Sequence, residues 1–185
     1  LNYVQLTNGQ MNTTLKVTNA SAGMLLKHGD TYDHPYMLTL KSVTVNGTEM
    51  LTSGEKKLSP YESTDVTLST AVPTDSLVKV TAVYSFTFKD GTAYNGDITS
   101  TTFEYATNDT ADTVGSAWSK EDKKTNFYDV VKMKGETTTD YLVTNASALA
   151  SAISNIAVTW TNMRDTNCKF TAGSVSGLDA NYFES

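Results

Sequence analysis

The chain has 185 residues, 39% hydrophobic and 10% aromatic, enough for the packed core of one ordinary domain and too much for wholesale disorder. Its formal net charge is -6, and its densest basic run, Lys120 to Lys124, is broken by Glu121 and Asp122; the basic stripe that a phosphate backbone requires is missing, which argues against a nucleic-acid partner. A single cysteine, Cys168, excludes an internal disulfide framework and a cysteine-based zinc cluster, and no run approaches the ~20 apolar residues of a membrane helix.

The bias lies in 31 Thr and 17 Ser against only 18% charged residues. Threonine is β-branched and suits a pleated, half-exposed surface, so the chain reads as strands with hydroxylated outer faces. Leu1 to Leu6 and Leu15 to Thr18 are two short strands separated by Asn8-Gly9. A polar loop, His28 to His34, follows. From Tyr36 to Tyr105 the pattern is clearest. Leu38, Leu40, Val43 and Val45 near-alternate up to Asn46-Gly47, a strong hairpin signal, and Thr48 to Leu51 returns antiparallel. Ser59 to Ser63 is a turn, Val66 and Leu68 alternate with polar neighbours, and Pro73-Thr74-Asp75 turns again.

Leu77 to Lys89 is the best strand. Val78, Val80, Ala82, Tyr84, Phe86 and Phe88 form one uniformly apolar face, which predicts a core strand. Asp90-Gly91 closes it onto Thr92 to Tyr105. Thr107 to Lys124 is polar and poorly patterned. Phe127 to Met133, Tyr141 to Thr144, Ala157 to Thr161 and Lys169 to Ala172 read as further strands. Ala146 to Ile156 has Ala and Leu at helical spacing behind Asn145, a good N-cap residue, and is read as a short helix or an edge strand. Strands at this spacing predict an all-β fold, an antiparallel Ig-like or jelly-roll β-sandwich with one short helix near 146–156. It is read as a single domain over 1–185, a subdivision near 107–124 being the alternative.

Catalytic signatures are missing: there is no Gly-x-Ser-x-Gly elbow, phosphate loop, dinucleotide glycine pattern or His-Glu-x-x-His helix. An enzyme is not expected, and no catalytic, cofactor-binding or metal-ligating residue is assigned. The loop His28 to His34, with Asp30 and Asp33, has the ligand types of a transition-metal site, but any exposed turn has the same composition. Asn108, Asp109 and Asp112 offer oxygen ligands without the spacing of a calcium loop. Tyr32, Tyr36, Tyr94 and Trp118 are the aromatic residues that could stack on sugars. Cys168 is read as an inert thiol or an intermolecular bridge. Five glycosylation acceptor sequences occur, at Asn12, Asn19, Asn46, Asn108 and Asn145, mostly at expected turns.

The stretch Leu38 to Thr48, then Leu58-Ser-Pro-Tyr-Glu-Ser63, then Val78 to Phe88 with Asp90-Gly91-Thr92, resembles the Ig-like β-sandwich modules of secreted prokaryotic surface proteins, particularly archaeal pilins and thread-like filament subunits. The resemblance covers about 70 residues. It departs from type IV pilins, whose long apolar N-terminal helix has no counterpart in Leu1 to Thr18. What it implies is a filament family whose subunits join by donating a β-strand. Leu1, Tyr3, Val4 and Leu6, in a mostly apolar segment, are the candidate donor residues.

The expected function is therefore a structural subunit of an extracellular surface filament or surface layer, a homopolymer of copies of itself, glycosylated where the five acceptors allow. The first residue is Leu1, with no initiator Met or basic leader before it, which fits a processed secretory protein at the cell surface. The alternatives are an adhesin or carbohydrate-binding module that takes glycans, and a virion capsid or decoration protein.

Overall fold

A computed structural model describes residues 2–107, 141–154, 158–162, 169–170, 174–179 and 182–183. The stretch 108–140, which holds Asn108, Trp118, the expected strand Phe127 to Met133 and the proposed subdivision, lies outside the described residues, as does Cys168. The protein is mostly β, with antiparallel sheets consistent with a β-sandwich and one short α-helix among the described residues.

The largest sheet is built on β9 (Ser76–Thr87), flanked by β10 (Ala93–Thr107) and β5 (Met37–Val45). Its alternating face is buried as the sequence predicts: Val78, Val80, Ala82, Tyr84 and Phe86 are inaccessible to solvent, and Phe88 just beyond the strand nearly so. On the other side of β5 lie β6 (Thr48–Glu49) and β7 (Lys56–Leu58). On the far side of β10 lie β1 (Asn2–Gln5) and β14 (Ser174–Ser176), at successive points along its length. A four-stranded sheet runs in the order β13 (Lys169–Phe170), β12 (Val158–Asn162), β2 (Gln10–Asn19), β8 (Ser63–Ala71). Met11, Leu15 and Val17 of β2 and Val66 and Leu68 of β8 join the same hydrophobic cluster as the β9 face.

A third, small sheet differs from the expectation of a polar loop around His28. There β3 (Met24–His28) and β4 (Thr31–Asp33) form a hairpin, and β11 (Tyr141–Leu142) pairs with β3 in parallel. Only Met24 and Leu26 alternate as buried residues before Gly29-Asp30, too short a run to stand out from its polar surroundings. The helix α1 (Ala146–Ala152) starts where its cap residue predicts: the Asn145 side chain accepts from the Ala148 N–H at 2.8 Å. Leu149 and Ala152 bury its inner face.

Two irregularities explain side-chain parity. In β5 the buried residues switch from Leu38 and Leu40 to Val43 and Val45, an odd spacing that a regular strand would put on opposite faces. A register shift between Leu40 and Ser42 inserts one extra residue against β9 and turns both pairs inward. In β10 the shift falls between Tyr94 and Ile98, around Asn95 in the left-handed conformation (φ 58°). Lys41 and Asp97, one from each irregular site, meet at 2.6 Å across β9. The Asn95 amide donates to the Gly177 carbonyl (2.8 Å) and accepts from the Asp179 N–H (2.6 Å), which pins the C-terminal segment to the sheet. Gly177 has φ +84°, and a Cβ there would collide with the Asp97 carbonyl oxygen.

Beyond the bulge the inward face of β10 is polar: Ile98 is followed by Ser100, Thr102 and Glu104, all buried. The Tyr84 hydroxyl and Ser100 Oγ meet at 2.5 Å, and Thr102 Oγ1 donates to Glu104 Oε1 at 3.0 Å. By contrast the buried Tyr94 hydroxyl makes no hydrogen bond among the described residues. A buried hydroxyl contributes when bonded and costs when orphaned. Tyr84→Phe should therefore lower stability by about 1 kcal/mol, whereas Tyr94→Phe should leave it unchanged or raise it by up to about 1 kcal/mol. Chemical denaturation of the two variants beside the parent chain checks the opposite signs.

Candidate functional site

The segment expected to lie in a neighbouring copy's sheet forms instead an edge strand of the chain's own large sheet. Val4 is 2% exposed and Leu6 3%, so alternate side chains of the segment enter the core. Its backbone pairs in parallel with the last residues of β10, Asn2 opposite Glu104, Tyr3 opposite Tyr105, Val4 opposite Ala106 and Gln5 opposite Thr107. Both β9 and β14 meet β10 antiparallel, so β1 is the one parallel neighbour that β10 has among the described strands. Thr7 and Gln10 exchange two backbone hydrogen bonds of 3.0 Å around Asn8 and Gly9, both at positive φ. That tight turn alone carries the chain from β1 in one sheet to β2 in the other. Leu1 lies outside the described residues. Facing solvent beside β1, Leu77 and Phe103 are 56% and 47% exposed on the outer face of the β9–β10 pair.

The His28 to His34 segment does not gather its imidazoles on one point. His28 stacks on Phe88 with ring centroids 4.1 Å apart and bonds Asp90 through Nε2 at 2.8 Å. His34 donates Nδ1–H to the Met24 carbonyl at 2.8 Å. The two rings thus serve different neighbours, one the β9–β10 hairpin and the other β3. Among the described residues no group of three or more His, Cys, Asp or Glu side chains is arranged to hold a metal. Asp90 is held low, its pKa brought down to about 2, first by the Thr92 backbone N–H, then by the Thr92 hydroxyl and His28. Burial opposes ionisation of Glu49, but hydrogen bonds from Ser42 Oγ and from the Leu51, Val43 and Met50 N–H groups outweigh it and lower its pKa. Glu49 thereby locks the turn after β6.

The acceptor asparagines divide by environment. Asn12 on β2, Asn46 in its hairpin turn and Asn145 at the helix cap are exposed. Asn19 is not a glycan site in the folded chain, a correction to the expectation. It is fully buried, with Nδ2 donating to the Tyr36 and Leu58 carbonyls (3.2 and 2.9 Å) and Oδ1 accepting from Ser21 N–H and Oγ–H (3.0 and 2.5 Å). The sequence motif is present, but its residue is a hub between the two sheets. Tyr94 is likewise withdrawn as a sugar-stacking residue, being fully buried edge-on to Phe88 and Tyr182. Tyr36 stays 38% exposed.

No family model, curated protein or solved structure matches this chain. Function therefore rests on its own geometry. Sequence reasoning missed Asn19 and Glu104. The first was legible only as a sequon, and the second as one acid among Thr residues in an alternating strand. Parity with Ser100 and Thr102 is the signal that places Glu104 inward.

Two outcomes follow. Asn19→Ala leaves two carbonyls and two donors without their partner and should cost about 2–4 kcal/mol in chemical denaturation; mass spectrometry of native material should find any glycan at Asn12, Asn46, Asn108 or Asn145 and none at Asn19. Because the folded pKa of Asp90 lies below its unfolded value of about 4, its stabilising contribution is complete above that pH and fades as pH falls towards 2. Asp90→Asn should flatten the acid limb of the stability profile in that window, measured by thermal melts from pH 2 to 6.

Proposed function

We propose that this chain is a structural subunit of an extracellular filament or surface layer, joined to neighbouring copies by donation of β1. The observation that carries the reading is the attachment of β1. It is four residues long, parallel on the flank of β10, anchored by Val4 and Leu6, and tied to the rest of the chain by one tight turn. In a single chain β1 occupies its own sheet. Opening the Thr7 to Gln10 turn would let the same strand fill the same place on a neighbour, with each native contact re-formed between copies. Such an exchange costs little because no new interaction has to be found.

The surface supports this reading. Thr and Ser dominate the outward faces, charge is sparse, and the exposed Phe103 lies on β10 next to the place where a donated strand would lie, with Leu77 one strand further on. Head-to-tail donation is a heterologous contact, which propagates as a filament unless its rotation closes a ring.

Negative-stain microscopy and sedimentation of the full chain beside a variant lacking Leu1 to Leu6 test the proposal. Polymers are expected in the full chain and dispersed particles in the truncation, with its far-UV circular dichroism still that of a folded β protein. Dispersed single particles in both samples would overturn it.

A further inference from the structure

The other flank of the molecule carries a second strand edge that is independent of β1. In the four-stranded sheet β8 is the terminal strand, paired with β2 over nine consecutive residues without a bulge, Gln10 opposite Ala71 through Thr18 opposite Ser63. The bonds that extend this ladder at both ends, Asn19 N–H to the Glu62 carbonyl and Val72 N–H to the Gly9 carbonyl, fix its phase. Even-numbered residues of β8 bond to β2. The odd-numbered ones, Ser63, Asp65, Thr67, Ser69 and Ala71, therefore direct N–H and C=O away from the sheet. Among the described residues these groups face no strand. Residues of the same strand, Asp65 to Thr67 with Ser69 and Thr70, line a groove of about 580 Å³ whose other wall is Thr48–Ser53.

Edges of this length are normally blunted by lysine, proline, a bulge or brevity. β8 has none of these: it is Ser-Thr-Asp-Val-Thr-Leu-Ser-Thr-Ala, with one charge. Its inward Val66 and Leu68 are buried and its outward Asp65, Thr67 and Ser69 exposed, so the edge is regular as well as open.

We infer that this edge pairs antiparallel with β8 of a second copy, joining two four-stranded sheets into one across a two-fold axis. The sequence and phase of the strand fit this occupant in one register. Centred on Thr67, all nine residues pair, and each outward-bonding odd residue meets another: Ser63 faces Ala71 of the partner subunit, and Thr67 faces its own counterpart. The same register sets Asp65 against Ser69 of the partner subunit, so the one charge of the edge meets a hydroxyl. A register centred on Asp65 would oppose two carboxylates and shorten the ladder. Inward, Val66 lies opposite Leu68 of the partner subunit, continuing the apolar face of the four-stranded sheet. A two-fold isologous contact of this kind closes on itself, so it links filaments or layers sideways and does not lengthen them.

The test uses the full chain. Thr67→Pro removes an outward N–H at a position where an edge strand tolerates proline and leaves the β2 ladder intact. Thr67→Lys brings two like charges together on the axis. Sedimentation across a concentration series should show mass doubling, or lateral bundling of polymers, in the parent chain and neither in the variants. Circular dichroism and melting should stay unchanged. In the parent chain, amide exchange at Asp65, Thr67 and Ser69 should slow by about tenfold or more between dilute and concentrated samples. Equal exchange rates at both concentrations would overturn the inference, and so would doubling or bundling that survives both variants. Either result leaves the donation of β1 untouched, because the truncation of Leu1 to Leu6 reads that contact separately.

Discussion

Burial of one face of β9 is the constraint from which the rest of the architecture follows. Six apolar side chains at alternate positions from Val78 to Phe88 must leave water together, and a strand can do that only if a second layer covers them. β2 and β8 supply that layer through Met11, Leu15, Val17, Val66 and Leu68. With β9 committed, β5 and β10 have to present matching faces. The one-residue shift at Lys41 and the irregular stretch around Asn95 are how they do so, since without them half of the apolar residues of β5 would point outward.

The same constraint accounts for the polar strip beneath β10. Ser100, Thr102 and Glu104 share the inward parity of Ile98, so the register that buries Ile98 buries them too. Most buried polar groups are hydrogen-bonded, and here Tyr84 meets Ser100 and Thr102 meets Glu104. Glu104 lies directly beside β1, opposite Asn2. The next pair inward is apolar, Val4 opposite Ala106, both in the hydrophobic cluster.

Both ends of the described chain are attached through β10. Its flank receives β1 at Glu104 to Thr107 and β14 at Thr99 to Thr101, and Asn95 secures the turn after β14. The opposite flank is different in kind: there β6 and β8 end their sheets with a groove between them. Under the proposed assembly β1 and the edge of β8 are the two kinds of edge that a polymer able to associate sideways would use, one heterologous and one two-fold.

The sequence by itself determined the β class, the inward face of β9, the hairpin turns at Asn46-Gly47 and Asp90-Gly91 and the cap at Asn145. Each is a local rule, set by period-two alternation or by the φ preference of one or two residues. Only the tertiary structure decided which asparagine is a hub. Asn19 and Asn46 carry the same acceptor motif, yet one bridges two carbonyls from distant turns and the other tops an exposed hairpin. The parallel seating of β1, the hairpin at Met24 to Asp33, the burial of Tyr94 and the terminal place of β8 among the described strands belong to the same class. Alternation tells which side of a strand is apolar, but what lies beside that strand depends on residues tens of positions away, and no local pattern records it.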